Sequence, residues 1–103
     1  MKLSLTVALF ASLVLVANGN AHAAPANPYV EKCQMCHGAT GHGDTPAGKA
    51  LGAHALNSPT VIKESDADLL AIITKGKGKM PAFTGKLTVP QMTALVAYIR
   101  TLQ

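Results

Sequence analysis

The two cysteines of the chain lie three residues apart, as Cys33 and Cys36, and His37 follows the second one directly. Residues i and i+3 share one face of a helix, so both thiols can point to the same side of one turn. C-x-x-C-H is the recognised pattern for covalent attachment of a c-type haem. The motif therefore predicts a short helix that carries one large prosthetic group, bound through both thiols, with the imidazole directed at the iron.

Two other kinds of site use closely spaced cysteines. A structural zinc site needs four ligands, usually from two such pairs, and the sequence has no second pair. A thioredoxin-like redox pair belongs to a strand-to-helix turn in a βαβ unit, and no stretch of this sequence alternates like a strand. The prediction is therefore one covalent haem c per chain.

The N-terminal residues have the order of a secretory signal peptide. Lys2 is followed by an uncharged apolar run over residues 3–17, and Ala21-His22-Ala23 supplies a small-residue cleavage site. The run is shorter than the roughly 20 apolar residues that a membrane-spanning helix needs. We therefore predict a signal peptide over 1–23, one domain over 24–103, and a periplasmic protein without a stable membrane anchor.

The mature chain is small for a self-sufficient core. At about 80 residues, a single apolar core rarely supplies more than ~3–5 kcal/mol, and small domains lean on disulfides, metals or cofactors. Helical patterns cover residues 29–37, 65–76 and 88–102, and the long stretch 38–60 is predicted as a loop that wraps around the bound group. The predicted fold is all-α, with three to four short helices around one covalently bound haem.

An iron bound by His37 needs a second axial ligand, for which two candidates remain. Met80 is a lone methionine in the polar, Gly-rich stretch KGKGKMPAF, and His54 lies in the predicted loop. Met35 lies between the cysteines and cannot reach the opposite side of the ring, and Met92 belongs to the apolar stripe of the last helix. Met80 is preferred because methionine is a frequent partner of histidine on haem iron, and His54 is held in reserve.

Three stretches together resemble the small soluble class I cytochromes c of bacteria. They are CQMCHGATGHGD, ADLLAIITKGKGKMPAFTGKLT and LVAYIRTL, which run in the family's order, and the match is weakest over 49–62. The resemblance implies a fold in which the first and last helices cross beside Tyr98. It also implies that the carbonyl of Pro46 accepts a hydrogen bond from the haem-binding histidine. The family's haem-binding residues fall on Cys33, Cys36, His37 and Met80.

An iron with nitrogen on one side and thioether sulfur on the other has no open position, so the predicted function is one-electron transfer at a relatively high potential, without enzymatic activity. Four lysines lie near Met80 in the sequence and predict a basic docking face on this protein: Lys75, Lys77, Lys79 and Lys86. The expected partners are redox proteins whose own docking faces are acidic.

The formal net charge is +4, yet Arg100 is the one arginine and tryptophan is absent, which argues against nucleic-acid binding. We expect a monomer. Two alternatives stay open: a haem c subunit of a larger complex, and a sensor or peroxidase-like protein whose distal ligand is labile.

Overall fold

A computed structural model of the protein describes residues 27–103, so the predicted signal peptide over 1–23 lies outside the described residues. Within that range the chain forms helices and isolated bridges but no strand. The all-α prediction is confirmed. The helices are α1 Pro28–Lys32, α2 Gln34–His37, α3 Pro46–Leu51, α4 Pro59–Lys63, α5 Asp66–Lys75 and α6 Val89–Thr101.

The described range thus contains six helical segments, against three to four predicted. The first predicted helix is divided at Cys33, whose backbone ends α1 and precedes α2 with φ −116° and ψ −37°. The stretch predicted as a loop contains α3 and α4, so the prediction of no regular structure there is wrong. Each begins with a hydroxyl cap followed by proline, as Thr45-Pro46 and Ser58-Pro59, which is a favourable helix start.

The two longest helices begin where their sequence signals predict. The side chain of Ser65 accepts a hydrogen bond from the N–H of Asp68 at 3.1 Å and so caps α5. Thr88 and Gln91 form the reciprocal capping box of α6, with bonds of 2.8 and 3.3 Å. The buried stripe of α6 consists of Met92, Leu95, Val96 and Ile99.

Helices α1 and α6 meet at a pair of tyrosines. The rings of Tyr29 and Tyr98 lie 4.9 Å apart between centroids and are tilted by 48°, an arrangement typical of stabilising aromatic pairs. The predicted position of Tyr98 at the crossing is confirmed. Tyr29 is fully buried, and its hydroxyl donates to the carbonyl of Gly38 at 2.6 Å. This contact fixes the end of α2 against the base of α1.

Candidate haem site

A cavity of about 540 Å³ opens between the cysteine motif and the segment that follows α5. This volume falls within the roughly 300–1,000 Å³ typical of ligand and cofactor sites. Cys33, Cys36, His37 and Met80 all line the cavity, and so does His54. The structure therefore brings every predicted site residue, together with the reserve ligand, to one place.

The inner wall of the cavity is apolar. It is formed by the buried side chains of Tyr29, Leu56, Leu69, Ile73, Phe83 and Ile99. These residues come from α1, α5, α6 and the loops between them, so all the long elements of the fold contribute to the wall. An apolar wall with a few converging donors is the usual form of a cofactor site. It suits the flat hydrophobic face of a porphyrin.

The chemistry of the cysteines fits thioether attachment better than zinc binding. Both are free thiols. Burial, together with the neighbouring Cys36, raises the pKa of the Cys33 thiol to about 11, so Cys33 is neutral near pH 7. Zinc is bound by thiolates, and the described residues contain no group of three or more histidine, cysteine or acidic side chains that could hold a metal ion. Two free thiols beside one imidazole match the donor set for covalent haem.

The imidazole of His37 is oriented by a backbone carbonyl. Its Nδ1 lies 3.1 Å from the carbonyl oxygen of His54. A carbonyl can only accept, so Nδ1 carries the proton and Nε2 keeps the lone pair that an iron ligand needs. Burial also lowers the pKa of His37, which favours the neutral ring. The carbonyl predicted for this role was that of Pro46, and that prediction is wrong: Pro46 begins α3, and the partner is His54.

Thr45 ties the cysteine motif to α3. Its hydroxyl lies 2.7 Å from the carbonyl oxygen of Met35 and 3.0 Å from that of Cys36, and it accepts from the N–H of Gly48 at 2.9 Å. A side chain at Gly48 would overlap the carbonyl oxygen of Cys36, so the two helices touch through backbone. Sequence reasoning missed both residues, although the string T-P-A-G carries the signal of a capped helix start.

Met80 is carried by a tight turn. Lys77 and Met80 exchange two backbone hydrogen bonds, of 3.2 and 2.9 Å. Gly76, just before the turn, adopts φ +74° and ψ 171°, a conformation essentially restricted to glycine. The N–H of Phe83 donates to the carbonyl of Ile73 at 3.0 Å and ties the far end of the segment back to α5. Met80 itself packs against the buried core.

The sequence model of one protein family matches residues 20–99, and its description is "Cytochrome C oxidase, cbb3-type, subunit III". The match covers most of the chain, including the cysteine motif, the Met80 turn and nearly all of α6. The chain belongs to the small class I cytochromes c.

Two relatives agree with this family. A cytochrome c6 of Leptolyngbya boryana is 36% identical over 67 residues, which make up 65% of this chain and 75% of that protein. Among solved structures, the KustC0563 c-type cytochrome aligns with a TM-score of 0.68 and 32% identity, covering 74% of this chain and 93% of the other. The cytochrome therefore carries covalent haem c and functions in electron transfer, as the sequence predicts. Its partners are redox proteins.

The four lysines near Met80 divide into two pairs. Lys77 and Lys79 are exposed and line the cavity, whereas Lys75 and Lys86 are exposed outside it. The Lys86 ammonium lies 5.9 Å from the centroid of the Phe83 ring. Over residues 27–103, no helix of the cytochrome has the length and apolar character needed to cross a membrane.

Proposed function

We propose that Cys33 and Cys36 form the two thioether bonds to haem, that His37 and Met80 are the axial ligands, and that the cytochrome shuttles single electrons between exported redox proteins. When bound, the haem supplies one iron that accepts and releases one electron. The observation that carries the proposal is the convergence of these four side chains on one apolar cavity.

The hydrogen bond of His37 and the position of Met80 support these two residues as the axial ligands. His37 donates from Nδ1 to the His54 carbonyl, which holds the ring in place and leaves Nε2 for the iron. Because the His54 carbonyl lies beside His37, we propose that the second axial ligand of the iron comes from another segment. Met80 is the side chain there with a suitable donor atom. Thioether sulfur and an apolar surround both favour ferrous iron, so we expect a positive potential against hydrogen.

The absorption spectrum of the haem-loaded protein tests this ligation. Wild-type ferric protein should show the weak red band of thioether sulfur on iron, and Met80→Leu should lose it. Met35→Leu is the matched control, because Met35 is 74% exposed and lies between the cysteines. His54→Ala should keep the band. A Met80→Leu variant with an unchanged red band would show that Met80 is not the ligand.

We also propose that the cytochrome is not an enzyme. The Met80 turn is held by two backbone bonds and lies against Gly76, and this restraint favours a distal ligand that stays bound. Reduced wild-type protein should therefore bind carbon monoxide poorly. Rapid and complete binding near neutral pH would instead support the sensor or peroxidase-like alternative.

Lys77 and Lys79 suit a docking face for an acidic redox partner, because they border the cavity where an electron would enter or leave. Charge complementarity of this kind mainly accelerates encounter. Lys77→Glu/Lys79→Glu should slow electron transfer to a small acidic redox protein by about tenfold or more at low salt, and less at high salt. Lys49→Glu/Lys63→Glu makes the same charge change elsewhere on the exposed surface. Equal electron-transfer rates in the two double variants would contradict the proposed docking face.

Export and assembly are the remaining parts of the proposal. Cleavage after Ala23 predicts a mature protein that begins at Ala24, which N-terminal sequencing of periplasmic material checks. We propose a diffusible monomer. The name of the matched family, an oxidase subunit, favours the complex-bound alternative as a second candidate. Gel filtration of a gentle extract separates the two, because a free carrier elutes at its own mass.

A further inference from the structure

Arg100 joins the end of α6 to the end of α4, the start of α5 and the chain between them. Its guanidinium donates to the carbonyl of Glu64 at 2.6 Å, to that of Ile62 at 3.4 Å, and to the carboxylate of Asp66 at 2.9 Å. Only 29% of its side chain is exposed. Asp66 is 76% exposed, so the ion pair itself contributes little. The contact with the Glu64 carbonyl is the shortest of the three and the one that is partly buried, so it contributes most to holding the chain.

Gln103 extends the same arrangement. Its amide nitrogen donates to the carbonyl of Leu56 at 2.9 Å, and its amide oxygen accepts from Arg100 at 3.0 Å. Together the two side chains hold both ends of residues 56–64, which we call the wall segment. The wall segment lines the cavity through Leu56, Thr60, Val61 and Glu64, whereas Arg100 and Gln103 do not line it.

Apart from the apolar packing of Leu56 and Val61, the wall segment makes few other hydrogen bonds to the rest of the fold. The N–H of Leu56 donates to the carbonyl of Gly41 at 2.7 Å. For residues 57–64, the backbone hydrogen bonds between described residues stay inside the segment or its immediate neighbours, apart from those made by Arg100. Its helix α4 has five residues, and so short a helix is marginal without tertiary support.

We propose that Arg100, with Gln103, is a positioning residue that holds the wall segment closed over the haem cavity and thereby keeps water away from the iron. The inference rests on the proposed function. A planar guanidinium reaches two carbonyls and a carboxylate at once from fixed directions, which a lysine ammonium does not reproduce. Releasing the segment would admit water beside the haem, and a wetter surround lowers the reduction potential.

The test compares Arg100→Gln with Lys63→Gln in the haem-loaded protein. Both variants replace one positive charge by the same amide, and Lys63 is an exposed residue of the wall segment. In Arg100→Gln, amide exchange at Val61, Ile62 and Glu64 should accelerate about tenfold, the factor that corresponds to ~1.4 kcal/mol. The reduction potential should move to a lower value. Lys63→Gln should match the wild type in both measurements.

Gln103→Ala is the second variant, because Gln103 is exposed and lies outside the buried core. It should accelerate exchange in the wall segment in the same direction, by a smaller factor. Exchange at these amides that is equal in Arg100→Gln, Gln103→Ala and Lys63→Gln would overturn the proposal. Faster exchange with an unchanged potential would overturn it too. A wild-type protein without the red sulfur band would instead contradict the Met80 ligation. The exchange data would still test whether Arg100 and Gln103 hold the wall segment.

Discussion

Gly76 ends α5 directly before the turn that carries Met80, and we expect Gly76→Ala to weaken the proposed bond between Met80 and iron. A Cβ atom at this position would lie 2.6 Å from the carbonyl oxygen of Met80 and 2.9 Å from the amide nitrogen of Ala82. Both contacts are with backbone, which cannot rotate away as a flexible side chain would. The turn itself must therefore shift.

Two costs add in this variant. The glycine conformation, φ +74° with ψ 171°, costs about 1–3 kcal/mol for any other residue, and overpacking against backbone costs about 1–3 kcal/mol more. Gly85→Ala is the matched control, because Gly85 has a φ of +76° but nothing within 4 Å of the added atom. The control carries a conformational cost without the contact. The difference between the variants measures how tightly α5 holds the Met80 turn.

Urea unfolding and the red sulfur band give the two readouts. Gly76→Ala should lose more stability than Gly85→Ala, by about 1–3 kcal/mol. It should also show a weakened red band and faster carbon monoxide binding after reduction, whereas Gly85→Ala should keep wild-type behaviour in both. The same stability and the same band in the two variants would mean that Gly76 does not position Met80.

Three further predictions concern the cysteine motif and its supports. Tyr29→Phe removes the hydrogen bond to Gly38 and should lower the free energy of unfolding by about 0.5–1.5 kcal/mol, measured by urea unfolding. Burial raises the pKa of Tyr29 from 10.0 to about 12, so the wild type should also lose stability between pH 10 and 12. Thermal melts of Tyr29→Phe should lack this loss. Thr45→Val removes the cap of α3 and should cost about 0.5–2 kcal/mol by the same unfolding assay, with Thr45→Ser close to the wild type. Cys33→Ala/Cys36→Ala should leave the chain at its bare peptide mass with a reduced far-UV helical signal; a strongly helical, haem-free variant would contradict this last expectation.

The parts of the fold predicted correctly from the sequence depend on local signals. The starts of α5 and α6 are encoded by pairs of capping residues three positions apart, and the stripe of α6 repeats at helical spacing, so neither needs knowledge of distant residues. The cysteine motif is local in the same way. Its pairing with Met80 was predicted from the need for a second axial ligand, and the resemblance to known cytochromes agreed with it. Nothing between residues 37 and 80 fixes the path of the chain by pattern alone.

The errors fall where distant backbone groups meet. The partner of His37 was sought nine residues away at Pro46, but the carbonyl that faces it belongs to His54, beyond α3. Its position depends on how α3 turns the chain back, and a helix of six residues with little apolar periodicity gives a weak signal. The contacts of Arg100 with residues 62–66 likewise join parts of the chain that are far apart in the sequence. Contacts between a side chain and a residue more than 30 positions away cannot be predicted from the spacing of residues in the sequence.

The cavity links the function of this cytochrome to its stability. A bound porphyrin would cover the apolar wall of this cavity of about 540 Å³, and each Å² of apolar surface removed from water contributes roughly 25 cal/mol. Water does not replace these contacts along an apolar wall, because it finds few polar partners there. The group that transfers the electron must therefore also complete the interior. For that reason substitutions that loosen the wall, at Arg100 or Gly76, should change potential or ligation and stability together, whereas changes at the exposed lysines should alter encounter rates alone.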